Sequence, residues 1–310
     1  MPIEIVQTTK LLESCEKALA ERYTVHKLHE AADPEALLKS VADRVRAVVS
    51  GPAPASVINA LPKLEIVAHF GVGYDSVDTE AAKARGVAVT NTPDVLTNAV
   101  AELTVGMMLA LARQIVVADK YIRDGKWKVT YGFPFAQELN GKTVGILGLG
   151  RIGKEIATRL QAMRMRVVYH GRRQQMDEPY VYYDNLVDMA RDSDWLVIIA
   201  PGGKDTAKLV DRKVLEALGP EGYLMNIARG SLVDEPVLVE MLKSGALGGA
   251  ALDVFASEPT VPEELYALDN VVLAPHIGSA TQQTRDKMGQ LVIDNLEAHF
   301  AGKPLISRVV

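Results

Sequence analysis

Short apolar runs rich in β-branched residues alternate with stretches of helical spacing along most of the chain of 310 residues. The first series of runs is IEIVQT, YTVHKL, RVRAVVS, LEIVAHF and VAVTN, and the second is TVGILG, RVVYH, WLVIIA, YLMNIA, GGAALDV and VVLAP. Strands separated by helices are typical of βαβ units, which build parallel sheets. Two successive series therefore predict an α/β protein with two sheets, and the length suits two domains.

The composition excludes several classes of function. A net charge of -5 and a pI near 5.8 leave no basic surface of the kind that binds nucleic acid. The single cysteine, Cys15, excludes an internal disulfide framework and a multi-cysteine zinc site. The first residues lack the basic and apolar segments of a signal peptide, and no apolar run reaches the roughly 18 residues that span a bilayer. We expect a soluble cytoplasmic protein without nucleic-acid or membrane partners.

A long apolar segment joins the two series. Residues 99–125 have helical spacing, with Asn98 as a candidate N-cap and Gly125 as the stop. One helix across this segment could connect two domains. The last helical pattern, residues 281–300, carries apolar residues near helical spacing and should pack one face onto a core.

Gly148, Gly150 and Gly153 form the motif G-x-G-x-x-G. An apolar strand runs directly into these glycines, and RIGKEIATRLQAM follows with helical spacing. This order of strand, turn and helix can bind a dinucleotide, because the second glycine lets the backbone approach the pyrophosphate and the helix N-terminus offers N–H groups. The alternative is a purely structural turn in a flavodoxin-like sheet.

The next strand ends in HGRRQQ, which bears on the choice of dinucleotide. NAD-binding units carry an acidic residue about 20 residues after the glycines, where it binds the ribose hydroxyls. No acid stands between His170 and Arg173. Arg172 and Arg173 instead place two guanidinium groups where a 2′-phosphate would lie, and arginine matches phosphate geometry. The segment predicts NADP(H), and two solvated arginines in a surface loop are the alternative.

Three later strands are followed by polar side chains, at the strand ends where open α/β sheets bind ligands. Arg229 follows a strand in NIARG, Glu258 lies in the loop after ALDVF, and His276 follows VVLAP. Reduction of a ketone needs a proton donor, which histidine supplies near neutral pH, and a neighbouring carboxylate stabilises the imidazolium. Arginine would bind a substrate carboxylate and polarise the adjacent carbonyl. Each residue alone also fits a surface or structural role.

Several segments together resemble the D-isomer-specific 2-hydroxyacid dehydrogenase family. They are LGLGRIG, NIARGSLVDE, GAALDVFASEP and APHIGSAT, with FGVGYDSVD and GVAVTNTPDVLTNAVAEL in the N-terminal half. The likeness covers essentially the whole chain. It implies two Rossmann-like domains: a doubly wound parallel-sheet cofactor domain, residues 99–281, inserted into a flavodoxin-like substrate domain made of residues 1–98 and 282–310.

The resemblance also implies roles for single residues. Arg229 would bind the substrate carboxylate, together with the backbone amides of Val72 and Gly73. His276 would be the acid/base, paired with Glu258. The implied cofactor contacts, beyond the three glycines and two arginines named above, are Thr104, Arg151, Ile152, Pro201, Thr206, Ala228, Asp253 at the nicotinamide carboxamide, and Gly278. The segment APGGKDT departs from the Cys-Pro-Leu-Thr type of loop found in many members.

Within the family, the sequence resembles NADPH-dependent glyoxylate/hydroxypyruvate reductases and hydroxyphenylpyruvate reductases, on segments such as YVYYDNLVDMA and NLEAHFAGKPL. This predicts an NADP-dependent D-2-hydroxyacid dehydrogenase that reduces glyoxylate and hydroxypyruvate. The alternatives are a hydroxyphenylpyruvate or phenylpyruvate reductase, a phosphoglycerate dehydrogenase-like enzyme, and a non-catalytic dinucleotide-sensing protein, because fold alone does not fix function.

The remaining polar and aromatic residues give weaker indications. His26, His29 and His299 lack acidic partners at metal spacing, and His69 ends an apolar strand, so we expect structural or surface roles for all four and no metal site. The aromatic residues between Trp127 and Phe135 either pack internally or contact a second subunit. The family resemblance implies homodimers formed through the cofactor domain.

Overall fold

The computed structural model describes residues 2–127 and 132–310. The chain forms two compact units, one made of Met1–Leu96 and Ala280–Val310, the other of Thr97–Ser279. Each unit contains one parallel sheet with helices, so the predicted α/β fold class is confirmed.

The elements have the following bounds. The strands are β1 (Glu4–Gln7), β2 (Thr24–Lys27), β3 (Val45–Ser50), β4 (Ile66–His69), β5 (Ala88–Thr90), β6 (Thr143–Leu147), β7 (Arg166–His170), β8 (Val181–Tyr183), β9 (Trp195–Ile198), β10 (Tyr223–Asn226), β11 (Gly249–Leu252) and β12 (Val271–Leu273). The helices are α1 (Glu13–Ala20), α2 (Pro34–Val41), α3 (Ala55–Ala60), α4 (Thr79–Ala84), α5 (Thr97–Ala112), α6 (Ile115–Arg123), α7 (Arg151–Ala162), α8 (Leu186–Arg191), α9 (Arg212–Leu218), α10 (Glu235–Ser244) and α11 (Gln282–Phe300).

The two sheets have different strand orders. The first unit has the order β2-β1-β3-β4-β5, which is the flavodoxin-like arrangement. The second has seven strands in the order β12-β11-β10-β9-β6-β7-β8. This order reverses direction between β6 and β9, which is the doubly wound pattern whose ligands bind at the carboxyl ends of the strands near the switch point.

The strands are nearly continuous apolar runs because both faces of each sheet are covered. In the first unit, Ile5 and Leu19 share one buried cluster with Val292 and Leu296 of α11. The hydroxyl of Thr281 caps α11 by accepting from the N–H of residue 284 at 3.2 Å. The last helix therefore completes the core of the unit that the first 96 residues begin, as its helical spacing predicted.

All the predicted strands are present, and β8 was missed because its three half-exposed residues form an edge strand without clear alternation. The single helix predicted after Asn98 is wrong. The helical segment begins at Thr97, two residues before the predicted start at Ala99, so Asn98 lies inside α5 and is not its N-cap. Gln114 has a left-handed backbone with φ 51° and breaks the segment into α5 and α6. Gly125 ends α6 with φ 69°, as predicted.

The broken helix also bears on membrane insertion. In the ranges that the structure describes, no single helix is long and apolar enough to cross a bilayer. Only α5 and α6 taken together meet that requirement, by length and composition, across a bend of 60°.

The aromatic segment is partly packed and partly exposed. The ring of Phe133 meets that of Tyr121 edge-on, with centroids 5.5 Å apart. Trp127 and Phe135 are exposed, and Tyr131 lies outside the described residues. Among the aromatic residues of this segment that the structure describes, internal packing accounts for Phe133 alone.

Candidate active site

The three candidate catalytic side chains follow neighbouring strands of the second sheet. Arg229 follows β10, Glu258 follows β11 and His276 follows β12, and β10, β11 and β12 are adjacent in the sheet. The carboxyl ends of parallel strands meet at one edge, so these residues belong to one edge of the sheet. This is the arrangement predicted from their positions after apolar runs.

His276 and Glu258 form a directly bonded pair. Oε2 of Glu258 lies 2.7 Å from Nδ1 of His276, and its Oε1 accepts from the N–H of Phe255 at 3.0 Å. The His276 side chain is 46% exposed. Among the residues described, no protein group bonds to its Nε2. Nε2 is therefore the ring nitrogen that can exchange a proton with a ligand.

Asp253 fixes the backbone around His276. Its Oδ1 accepts from the N–H of Ile277 at 2.7 Å and its Oδ2 from that of Gly278 at 2.9 Å. Its carbonyl accepts from the N–H of His276 at 2.8 Å. His276 has φ 54°, an unusual conformation for a residue with a side chain and one that occurs at functional sites. Burial raises the pKa of Asp253, although the two backbone N–H groups oppose this.

Asn226 organises the turn that carries Arg229, and sequence reasoning missed it. Its Nδ2 donates to the Arg229 carbonyl at 2.9 Å, and its Oδ1 accepts from the N–H of Ala228 at 3.1 Å. A Cβ at Gly230 would lie 1.9 Å from the carbonyl carbon of Phe255. Only glycine therefore lets the Arg229 turn approach the Glu258 loop this closely. The sequence signal that could have identified Asn226 is its position as a polar residue at the end of a buried strand.

The glycine turn after β6 fits a dinucleotide. A Cβ at Gly148 would lie 2.7 Å from the Ala200 nitrogen, and one at Gly153 would lie 2.3 Å from the Gly148 oxygen. A Cβ at Gly150 would meet nothing within 4 Å. The outer glycines are thus required by the protein's own packing, whereas Gly150 keeps space open beside the start of α7. That open space suits a pyrophosphate against the first turn, where Arg151 and Ile152 lie.

The loop after β7 presents both arginines from an anchored backbone. The side-chain amide of Gln175 donates to the Leu149 carbonyl in the glycine turn at 2.7 Å. Lys154 of α7 pairs with Glu178 at 2.7 Å. Arg172 and Arg173 are exposed, and within the described ranges neither forms an ion pair or a side-chain hydrogen bond. Two unpaired guanidinium groups on a fixed loop suit a phosphate ligand.

Other predicted cofactor contacts are already bonded within the protein. Thr104 is fully buried in α5, and its hydroxyl donates to the Val100 carbonyl at 2.8 Å. The hydroxyl of Thr206 donates to the Pro201 carbonyl at 2.8 Å, which closes the APGGKDT loop. Their cofactor roles stay predictions, as do those of Ala228, Asp253 and Gly278.

The histidines of the first unit differ in their partners. His26 lies 2.7 Å from a carboxylate oxygen of Glu4, and His299 lies 3.2 Å from one of Glu65, so both form partly buried pairs with a carboxylate. His69 is buried at the end of β4 and bonds to backbone carbonyls. Across residues 2–127 and 132–310, no group of three His, Cys, Asp or Glu side chains could hold a metal ion.

Three comparisons with known proteins agree. A family model described as D-isomer specific 2-hydroxyacid dehydrogenase, NAD binding domain, matches residues 105–278. Glyoxylate/hydroxypyruvate reductase A of Arabidopsis thaliana is 48% identical over 298 residues, 95% of each chain. Hydroxyphenylpyruvate reductase of Plectranthus scutellarioides is 48% identical over 299 residues, again 95% of each chain.

A solved structure extends this likeness to three dimensions. The NADPH-dependent glyoxylate/hydroxypyruvate reductase of Sinorhizobium meliloti, in complex with NADP and malonate, aligns with a TM-score of 0.93 at 40% sequence identity. The alignment covers 100% of this chain and 97% of that one. With the family model, the whole-length relatives and the shared fold in agreement, this chain belongs to the D-isomer specific 2-hydroxyacid dehydrogenase family.

Proposed function

We propose that this protein reduces small 2-oxo acids, glyoxylate and hydroxypyruvate among them, to D-2-hydroxy acids with NADPH. The observation that carries the proposal is the His276–Glu258 pair, bonded at 2.7 Å at the sheet edge that also bears Arg229. The names of the Arabidopsis and Sinorhizobium relatives support the same substrates. A non-catalytic dinucleotide sensor would have no need of a proton donor held in this way.

Each residue of the site has a part in this reaction. When bound, NADPH supplies the hydride. Arg229 binds the substrate carboxylate and polarises the adjacent carbonyl, and the amides of Val72 and Gly73 bind the carboxylate as well. Nε2 of His276 gives its proton to the oxygen that becomes the alcohol, while Glu258 stabilises the imidazolium.

The cofactor is assigned to the unit Thr97–Ser279, which contains the matched NAD-binding domain. The glycine turn holds its pyrophosphate, and the arginine loop holds its 2′-phosphate. The unit formed by Met1–Leu96 and Ala280–Val310 is the substrate domain.

The test is a steady-state assay that follows the loss of NADPH absorbance with glyoxylate or hydroxypyruvate. We expect saturable turnover with both acids and formation of the D enantiomer from hydroxypyruvate. Absence of turnover with every 2-oxo acid, despite measurable NADPH binding, would support the dinucleotide-sensing alternative.

Hydroxyphenylpyruvate is a second candidate substrate, because the Plectranthus reductase is as similar in sequence as the Arabidopsis one. Both activities use the same chemical groups and differ only in the pocket for the substrate side chain. The ratio of kcat/KM for hydroxypyruvate to that for 4-hydroxyphenylpyruvate decides between them.

Removing both guanidinium groups, in Arg172→Ala with Arg173→Ala, should abolish the preference for NADPH. Hydrogen bonds to charged groups contribute about 1.5–3 kcal/mol, so each arginine accounts for roughly ten- to hundredfold in NADPH affinity. Because both would share one phosphate, the two losses need not add. Titration of the variant with NADPH and NADH gives both dissociation constants.

Arg191→Ala is the matched control for that pair, since Arg191 is an exposed arginine of the same unit that pairs with Asp188 instead. It should bind both cofactors as the wild type does, and NADH binding should also survive in the double variant. Equal affinity of the wild type for NADPH and NADH would contradict this assignment. So would an unchanged ratio of the two dissociation constants in the double variant, and the arginines would then be solvated residues of a surface loop.

We also propose that the protein is a cytoplasmic homodimer formed through the cofactor unit. Ile115, Val116 and Ile122 of α6 are exposed, as are Trp127 and Phe135. Ile115 and Ile122 lie two helical turns apart on one face of α6, and an exposed apolar face is typical of a protein–protein contact. Sedimentation equilibrium should give twice the chain mass of 33.6 kDa. A monomer at micromolar concentration would contradict this part of the proposal.

A further inference from the structure

His170 is the last residue of β7, and the proposed reaction gives it no part. It stands about 20 residues after the glycine motif, where NAD-binding units carry the acid that binds the ribose hydroxyls. It pairs in register with Leu147, the last residue of β6, and the His170 carbonyl accepts from the N–H of Gly148 at 2.9 Å. His170 therefore lies beside the glycine turn, at the position of the ribose-binding acid.

The imidazole of His170 is fixed by a hydrogen bond to the neighbouring strand. Its Nδ1 lies 2.8 Å from the carbonyl oxygen of Tyr183 in β8. A carbonyl oxygen only accepts, so Nδ1 carries a hydrogen and donates it. Among the residues that the structure describes, no group bonds to Nε2, and this nitrogen is not buried. The side chain is thus held by one ring nitrogen and offers the other to a ligand.

A ring held in this way can bind either dinucleotide, one in each protonation state. The neutral ring has a lone pair at Nε2, which accepts from the 2′-hydroxyl of NADH as a carboxylate would. The protonated ring has an N–H there, which donates a charge-assisted hydrogen bond to the 2′-phosphate of NADPH. A carboxylate at this position would repel the phosphate, and a guanidinium could not accept from the hydroxyl. His170 is therefore a residue through which one proton can change the choice of dinucleotide.

The other charged groups around β7 leave the ring available. Those on the helices packed against β7 are largely paired with one another or with the following loop: Lys154 with Glu178, Glu155 with Arg159, and Asp188 with Arg191. Arg151 begins α7 and Asp184 follows β8, while the Tyr182 hydroxyl donates to the Gly171 carbonyl and that of Tyr183 to Asp192. In the described part of the chain, none of these groups bonds to the imidazole. A bound 2′-phosphate, with close to two negative charges, would favour the protonated ring.

We infer that His170 is a third ligand of the 2′-phosphate, beside Arg172 and Arg173, and that its proton couples the choice of dinucleotide to pH. The inference rests on the proposed function, which assigns the 2′-phosphate to the loop after β7. The arginines hold the phosphate against the ring, so this bond depends on them. NADPH binds the protonated ring, and its affinity falls as pH rises through the range in which histidine gives up its proton. NADH binds the neutral ring and loses no affinity over that range, so the preference for NADPH declines from neutral to alkaline pH.

The test is a pair of fluorescence titrations of the wild type, with NADPH and with NADH, at pH 7 and at pH 9. We expect the NADH dissociation constant divided by that of NADPH to fall about tenfold, the effect of one charge-assisted hydrogen bond. The 2′-phosphate is a dianion throughout, since its second pKa is about 6, and groups that act on both dinucleotides cancel in the ratio. Calorimetry in two buffers of different ionisation enthalpy should show proton uptake when NADPH binds at neutral pH, and none when NADH binds.

His170→Asn and His170→Gln separate the two ring nitrogens. Asparagine can still donate to the Tyr183 carbonyl but has no group at the place of Nε2, so NADPH affinity at pH 7 should fall about tenfold and the ratio should no longer vary with pH. Glutamine places an N–H that does not titrate near Nε2 and should restore part of the affinity, again without dependence on pH. His299→Asn is the matched control, because His299 pairs with Glu65 in the other unit. It should keep both the ratio and its pH dependence.

The outcomes separate the inference from the proposed function. A preference for NADPH that stays constant from pH 7 to pH 9, or the same fall of the ratio in His170→Asn, would overturn the inference and leave the proposed function standing. The wild-type titrations and the proton uptake decide the question even if His170→Asn fails to fold. Equal affinity for NADPH and NADH at every pH would instead contradict the assignment of the 2′-phosphate in the proposed function.

Discussion

His276→Ala should lower kcat for glyoxylate reduction by about 10² to 10⁴, the usual contribution of a positioned general acid. Without the imidazole, the proton for the new alcohol must come from water. The dissociation constant of NADPH should stay close to that of the wild type, because the cofactor is assigned to the glycine turn and the arginine loop. Stopped-flow measurement of a single turnover gives the chemical rate directly.

Glu258→Gln separates charge from hydrogen bonding in the same pair. The amide keeps the size of the side chain but no longer stabilises the imidazolium. We expect a smaller loss of kcat than in His276→Ala. Near-full turnover by His276→Ala would show that the His276–Glu258 pair is not the proton donor.

Arg229→Gln should lower kcat/KM for glyoxylate by about 10² to 10³. The guanidinium both binds the carboxylate and polarises the reacting carbonyl, and loss of one preorganised donor at a developing oxyanion has an effect of this size. The loss in kcat/KM should combine a higher KM with a lower kcat, because the guanidinium binds the carboxylate in the ground state and polarises the carbonyl in the transition state. Initial rates at low substrate concentration measure it.

Two comparisons show whether the carboxylate is what Arg229 recognises. Arg229→Lys keeps the charge without the two-pronged geometry and should recover only part of the activity. A ketone without a carboxylate should be a poor substrate for the wild type, and the substitution should change its rate little. Equal wild-type activity on simple ketones and 2-oxo acids would contradict the assignment.

The fold was predictable wherever local sequence carries the signal. The buried strands of both sheets are continuous apolar runs, so their positions and the two-sheet division followed from the sequence. The short edge strand β8 has no such run, and it exists only because β7 offers its free edge. The break at Gln114 could not be predicted for a different reason. No proline or glycine stands at this position, and the residue with the left-handed backbone is a glutamine, which gives no sequence signal for a helix break.

The residues of the candidate site were likewise predictable only in part. His276, Glu258 and Arg229 were found because each follows a strand and suits one chemical role. The roles of the residues that hold them were not predicted. Asn226 was not identified, and Asp253 was identified only as a cofactor contact, because both act through backbone groups that are brought close only by folding. His69 ends an apolar strand and so resembled a structural histidine. Its contact with the Gly73 carbonyl depends on the path of the loop after β4.

The shared core of α1, β1 and α11 has a consequence for synthesis on the ribosome. Ile5 and Leu19 emerge early, yet Val292 and Leu296, which pack with them, emerge after the whole inserted unit. At about 5–20 residues per second, the early segment waits roughly 14 to 55 seconds for that helix. The inserted unit is continuous in sequence and can mature during this interval. We therefore expect the order of folding to oppose the order of translation, with the nascent N-terminal sheet exposing an apolar face for chaperones until the last helix arrives.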